Sequence, residues 1–416
     1  MATTDPAKLP GPPVDPAEAQ GAQIPLQTFT LPEFPPSARG LKALTLTADI
    51  KNDEYQKELT KPYHIPESLP RGIESLTLEL FGLGYPAGFL TELATKLPGL
   101  KSVVLFSQLF AGITEESQKD AIEFFKLLPD LRALHLLDVF ARPHFFEGAA
   151  KWLKYNTSDK PGEARRGLMF IEVNYTFRHE DEEFMAKIQA TELPFLVGPG
   201  LISVSFNVST PEESEEDEQD PSTIQEAGNK EGIMAFNKTL TQQLVDTLLE
   251  EESWPRGLRA LNTTLYTFTP AQLRKVLERN RNVMVMNVTV EIEPGEACKK
   301  ELLAAMELCK NLEQVEIVAN PSLQFFMEVR AASMFHTFAQ RHILTLIQVQ
   351  NPRSDVLAKT FPSAADMEAL SSKCEKLSSF KANVLRTTSF GTVEWDRKNG
   401  KWSGGAIEAK GVPVQT

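Results

Sequence analysis

Cysteine is scarce in this sequence: Cys298, Cys309 and Cys374 are the only three in 416 residues, and no CxxC pair occurs. That excludes a disulfide framework and a thiolate zinc site, and predicts idle, buried thiols in a reducing compartment. Histidine is equally thin, with His64, His135, His144, His179, His336 and His342 scattered at spacings that suit no metal ion. No GxSxG elbow, GxxxxGK[ST] phosphate loop, HExxH or GxGxxG occurs. No carboxylate pair sits in an apolar neighbourhood that would split its acidities for acid and base work. These absences predict no catalytic residues, no metal and no cofactor.

Positive charge is also short. Lys and Arg number 43 against 56 Asp and Glu, a formal net charge of -13. Nucleic acid and acidic membranes attract the opposite balance, so neither is expected as a partner. Long apolar runs are missing too: LPFLVGPGLISVSF at 193–206 is broken by Pro and Gly and falls below the roughly 20 residues that span a bilayer. The opening MATTDPAKLPGPPVDPAEAQ has neither the basic nor the apolar part of a secretory signal. An intracellular protein, cytoplasmic or nuclear, is expected, which makes the six Asn-x-Ser/Thr sequons (Asn156, Asn174, Asn207, Asn237, Asn262, Asn287) chance matches.

What the chain does have is a recurring phrase. RGLKALTL at 39–46 returns as RGIESLTL at 71–78. Its pattern L-x-x-L-x-L, with other apolar residues allowed, starts at Leu41, Ile73, Leu100, Leu131, Leu168, Leu201, Leu258, Val283, Leu312, Leu344 and Leu377. Successive starts lie 32, 27, 31, 37, 33, 57, 25, 29, 32 and 33 residues apart, a period near thirty with one long interruption. The end of each phrase alternates as a half-buried strand does. Between phrases the spacing turns helical. Thr269-Pro270 reads as an N-cap followed by Pro at the first helical position, and Ser363 with Asp366 as a capping box. Helical patterns also cover about 115–127, 236–250, 294–310 and 321–341.

One strand plus one helix cannot bury its own apolar face, so such units must stack, with strands in a parallel sheet and helices outside it. The expected fold class is therefore α/β, a right-handed strand-helix solenoid of about 11 repeats. On these residues the chain resembles the leucine-rich-repeat superfamily of the ribonuclease-inhibitor-like type over about 38–390. That resemblance implies a horseshoe with a concave parallel sheet and outer helices. The Asn or Cys that this family places three residues after the last Leu is present as Asn320, whereas the corresponding positions elsewhere hold Asp49, Phe81, Gln108, Val139 and Tyr266. Residues 1–37, rich in Pro, are expected to be a disordered tail. GTVEWDRKNGKWSGG at 391–405 reads as a hairpin turning at Asn399-Gly400 and capping the array, with a tail to 416.

The repeat frame also predicts where a partner lies. Pointing outward at the centre of the sheet are Thr45, Thr77, Val104, His135, Glu172, Ser205, Asn262, Asn287, Glu316, Gln348 and Lys381. Among them and their flanking rows, Val104, Phe106, His135, Leu137, Phe170 and Glu172 form the candidate binding cluster, because exposed apolar and aromatic groups mark interaction surfaces. A slip of one residue in register would instead turn them all inward.

The long interruption contains a second feature, TPEESEEDEQDPST at 210–223. Glu212, Glu213, Glu215, Glu216, Asp217, Glu218 and Asp220 must be solvated, so an acidic, disordered insertion over about 210–232 is expected, with Ser214 in the context favoured by acidophilic kinases. Such an arm suits a basic client. The sequence thus predicts a monomeric, non-enzymatic scaffold for a protein or peptide of unspecified identity. The alternative is a substrate receptor of a ubiquitin ligase, since repeats of this kind often follow an F-box. LPEFPPSARG at 31–40 is similar to an F-box start, but it leads straight into the first repeat. An enzyme is the third and weakest reading.

Overall fold

The computed structural model describes residues 21–155, 166–176, 185–209, 240–322, 359–384 and 392–407. They belong to two compact units, Met1–Arg166 and Gly167–Thr416. Thirteen strands, most of them parallel, alternate with helices among the described residues.

In the first unit, β1 (Gly21–Leu26), β2 (Ala43–Ala48), β3 (Ser75–Glu79), β4 (Ser102–Phe106) and β5 (Ala133–Leu137) pair in chain order, all parallel. Helices α1 (Asn52–Glu58), α2 (Phe89–Lys96), α3 (Glu115–Lys126) and α4 (Phe145–Leu153) follow β2, β3, β4 and β5 in turn. The recurring phrase has a backbone cause. The N–H groups of Glu74 and Ser75 both donate to the Lys42 carbonyl, at 2.8 and 3.0 Å, and Lys101 and Ser102 repeat the fork on Glu74. Each strand therefore enters the sheet one repeat period after its neighbour. On the outside, the Glu74 carboxylate bridges Lys42 at 2.9 Å and Lys101 at 2.7 Å.

Alternation then assigns the faces. Leu44, Leu46, Leu76, Leu78, Val103, Leu105, Leu134 and Leu136 are buried against the helices. Where the strands end, an aromatic chain continues the core: Phe29 to Phe81 at 6.0 Å, Phe81 to Tyr85 at 4.9 Å, Tyr85 to Phe110 at 5.9 Å and Phe110 to Phe125 at 5.7 Å between ring centroids. The hydroxyls within it are satisfied: Tyr55 donates to the Gly84 carbonyl at 2.9 Å, and Tyr85 shares a 2.9 Å hydrogen bond with Ser107.

The second unit holds β6 (Phe170–Thr176), β7 (Ser203–Ser209), β8 (Ala260–Phe268), β9 (Val285–Ile292), β10 (Gln314–Pro321) and β11 (Ser379–Val384), parallel and paired in order. Its helices are α5 (Met185–Glu192), α6 (described over 240–249), α7 (Pro270–Arg279), α8 (Glu296–Met306) and α9 (Ala364–Lys373). Thr269 caps α7 by accepting from the Gln272 N–H at 3.2 Å, and Ser363 caps α9 by accepting from the Asp366 N–H at 3.2 Å. Past β11 the chain reverses. Strands β12 (Thr392–Lys398) and β13 (Lys401–Ile407) are antiparallel to their neighbours and turn at Asn399 and Gly400, whose φ values of 54° and 79° are those of a tight hairpin turn.

Every phrase start except Leu344, which lies outside the described residues, is buried. Two expectations need correction. Residues 21–37 are not a disordered tail: β1 pairs along β2, and Leu26, Phe29 and Leu31 are buried. Averaged composition hid them, because three apolar residues anchor a Pro-rich stretch whose strand is held by main-chain bonds on one side. Pro25 is tolerated there because β1 is an edge strand. Residues 1–20 lie outside the described set. Second, β10 pairs directly with β11, Glu316 opposite Lys381, so these two strands are neighbours where a further repeat is expected between them; residues 344–349 lie outside the described residues. The helix expected over about 321–341 falls on residues 323–358, which are outside the described set, beyond β10, which runs through Pro321.

Candidate functional site

A parallel sheet ordinarily has both faces covered. In the first unit the helices cover one face, and among the described residues no helix covers the other. The registers line up Thr45, Thr77, Val104 and His135 along the centre of that open face. All four are half-buried, as residues beside neighbouring strands without a covering layer should be. In the next row Glu79 pairs with Phe106. Phe106 is 40% exposed and Leu137 is half-buried. Phe106 is two residues beyond Val104, and Leu137 two beyond His135, so the four share a face and form a contiguous patch across β4 and β5.

The alternation is decisive for these side chains. Val103, Leu105, Leu134 and Leu136, their neighbours in sequence, are at most 2% exposed. A one-residue slip would exchange the two sets. The contrast with Phe110 shows what the core asks of an aromatic. Only four residues further on, Phe110 is 1% exposed and meets the rings of Tyr85, Phe124, Phe125 and Phe145.

Phe170 and Glu172 belong to the second unit. There Phe170 is 41% exposed at the start of β6, and Glu172 is half-buried opposite Ser205. The outward row of this unit continues through Asn262, Asn287, Glu316 and Lys381. Ser205 stands in that row but is buried rather than open, and Lys381 lies 3.5 Å from Glu394 of the hairpin. Gln348, Ser214 and the acidic residues Glu212, Glu213, Glu215, Glu216, Asp217, Glu218 and Asp220 are outside the described residues.

Exposed apolar groups also occupy the loops leaving β3 and β4, where the repeat frame gives no guidance. Leu80 is 56%, Leu83 39% and Ile113 72% exposed. The sequence carries a faint mark of the last: Ile113 precedes the N-cap Thr114 of α3, the place of a hydrophobic staple, but the position it would clamp is Gln118.

Among the described residues no cluster of three or more His, Cys, Asp or Glu could hold a metal ion. The three thiols are buried, which pushes Cys309 up to about 12 and Cys374 to about 11, away from nucleophilic use. No described helix is long and apolar enough to cross a membrane. No protein-family model matches the chain, and a comparison with curated proteins found no match.

Proposed function

We propose that this chain is a non-enzymatic interaction scaffold, a leucine-rich-repeat-type solenoid that holds a protein or peptide on its open sheet face. One observation carries the reading: a parallel sheet face left uncovered by helices presents Phe106 beside Val104, His135 and Leu137. Leaving an aromatic in water on a rigid sheet has a use when a partner buries it. The acidic segment around Ser214 would add attraction for a basic client; deleting 210–230 should then weaken binding and flatten its salt dependence.

The ligase-receptor alternative has less support. Leu31 to Gly40 is an extended stretch with one 3-10 turn (Pro36–Gly40), and β2 begins three residues later. The direct test is affinity capture from the native cell with wild-type and Phe106→Ala/Leu137→Ala chains, followed by titration of the captured protein. The double variant should lose the partner while keeping its far-UV circular dichroism. Retained capture by the variant overturns the assignment of the face, and co-purification of a Skp-type adaptor would favour the ligase reading.

A further inference from the structure

Leu80, Leu83, Phe106 and Ile113 form one surface rather than four accidents. The Leu80 N–H donates to the Phe106 carbonyl at 2.8 Å, which fixes the loop after β3 against the end of β4. The two loops then touch again through glycine: a methyl group added at Gly84 would stand 2.9 Å from the Leu109 carbonyl oxygen and 3.4 Å from the Gly112 Cα. Leu83 and Ile113 flank these two glycines, so the apolar groups line a continuous rim along the ends of β3 and β4. Local structure does not require them. Ile113 has no staple partner, and Leu80 holds a left-handed backbone at φ 62°, a conformation costly for Leu, with most of its side chain in water.

The rim is edged with acid. Glu79 lies in register with Phe106, and Glu115 and Glu116 open α3 directly after Ile113 and Thr114. Glu115 and Glu116 are exposed, and among the described residues neither forms an ion pair. They favour the helix dipole, yet they leave uncompensated negative charge beside an apolar surface. Of the chain's own segments, residues 1–20, with three acidic groups against Lys8, and 210–220, with seven acidic groups and no base, match this poorly, whereas 323–341 carries Phe325, Phe326, Phe335 and Phe338 with Arg330 and Arg341 against Glu328 and is set apart by the test below.

We infer that this rim docks an amphipathic helical segment of another protein, with Leu- or Phe-type anchors on one face and flanking Lys or Arg that meet Glu79, Glu115 and Glu116. The inference rests on the scaffold reading and names the chemistry of its partner. Charge decides between occupants: an anionic membrane or a second copy of this acidic chain would meet like charge at the rim.

The test uses the full chain and a fluorescent amphipathic Leu/Lys peptide of about 18 residues, five helical turns. The expected result is saturable binding, at least tenfold tighter than that of a Leu/Glu peptide or a Ser/Lys peptide of the same length. Leu83→Ser/Ile113→Ser should weaken it at least tenfold with an unchanged melting curve; Ile113→Ser alone, at the most exposed site, should weaken it several-fold. Glu115→Gln/Glu116→Gln should weaken it and reduce its salt dependence. Equal binding of the Ser/Lys peptide, or full binding by the Leu83/Ile113 variant, overturns the proposal. So does preferential binding to phosphatidylserine/phosphatidylcholine vesicles, self-association that the same variant abolishes, or binding of a synthetic 323–341 peptide as tight as that of the Leu/Lys peptide, which would make the chain's own segment the occupant. The sheet face is separated by His135→Ala/Leu137→Ala: binding lost there but kept in the rim variant places the site on the sheet and refutes the rim, and the converse leaves the rim and refutes the sheet.

Discussion

Asp120, near the middle of α3, caps the start of α2: its carboxylate accepts from the Gly88 N–H at 3.2 Å, and also from Leu90 at 3.3 Å and Thr91 at 3.1 Å. Gly88, at φ 83°, offers no side chain of its own for this purpose. One repeat thus completes the helix of the preceding one, and stacking supplies hydrogen bonds as well as apolar contact. Asp120→Ala should cost about 1–2 kcal/mol, the usual loss for a cap, read as a lower urea midpoint with an unchanged slope. A change below a few tenths would mean that water replaces the carboxylate.

Two phenylalanines four residues apart should respond differently. Phe110→Ala removes the hub of the aromatic chain, and about 3–5 kcal/mol should be lost. Phe106→Ala, on the open face, should leave the midpoint nearly unchanged, within about 0.5–1 kcal/mol. Comparable losses would place Phe106 in a core and remove the basis of the interface.

Acid stability should depend on Asp366. Burial works against its ionisation, but hydrogen bonds from Ser363 and the Lys299 ammonium outweigh it and hold the carboxyl below its ordinary value. A depressed carboxyl stabilises the fold at pH above its unfolded value, and that contribution disappears as pH falls through the folded value. Wild type should therefore exceed Asp366→Asn by a constant margin near neutrality. The margin should shrink on acidification below the usual Asp range; a margin that grows in acid would contradict the sign.

The thiols give a simple check on burial. Cys298, Cys309 and Cys374 should resist Ellman's reagent at pH 8 in the folded chain, and all three should react once it is unfolded. Rapid native labelling of Cys309 or Cys374 would show that the layer between helix and sheet is open.

Much of this arrangement was legible in the sequence because the repeat acts twice. Leu44 and Leu46 alternate with Thr45, which sets the face, and the same phrase 32 residues on sets Thr77 opposite Thr45. Caps were legible for the same reason: Thr269 with Gln272 and Ser363 with Asp366 are local pairs. What escaped was non-local or unpatterned. β1 takes its register from main-chain bonds to β2, the Asp120 cap joins residues about thirty apart, and β8 carries an irregularity between Thr263 and Thr267 that no alternation signals. Leu80, Leu83 and Ile113 sit in loops, where no period distinguishes an exposed apolar group from a buried one.

The hairpin after β11 depends on one backbone approach. Gly404, at φ 142°, faces Trp395 of β12, and a methyl group there would overlap the Glu394 carbonyl. Gly404→Ala should loosen β13, seen as faster proteolysis near 401–407 and a shift in Trp fluorescence, while the first unit keeps its stability. No change would mean that the hairpin tolerates a repacking that its present backbone does not allow.

The scaffold account stands most directly on where a bound partner protects the chain. Hydrogen exchange of the captured complex should show slowed amides in β4, β5 and the loops after β3 and β4, with α2, α3 and α4 unchanged on the opposite side. Protection confined to the helices, with exchange at 102–106 and 133–137 unaltered, would contradict it.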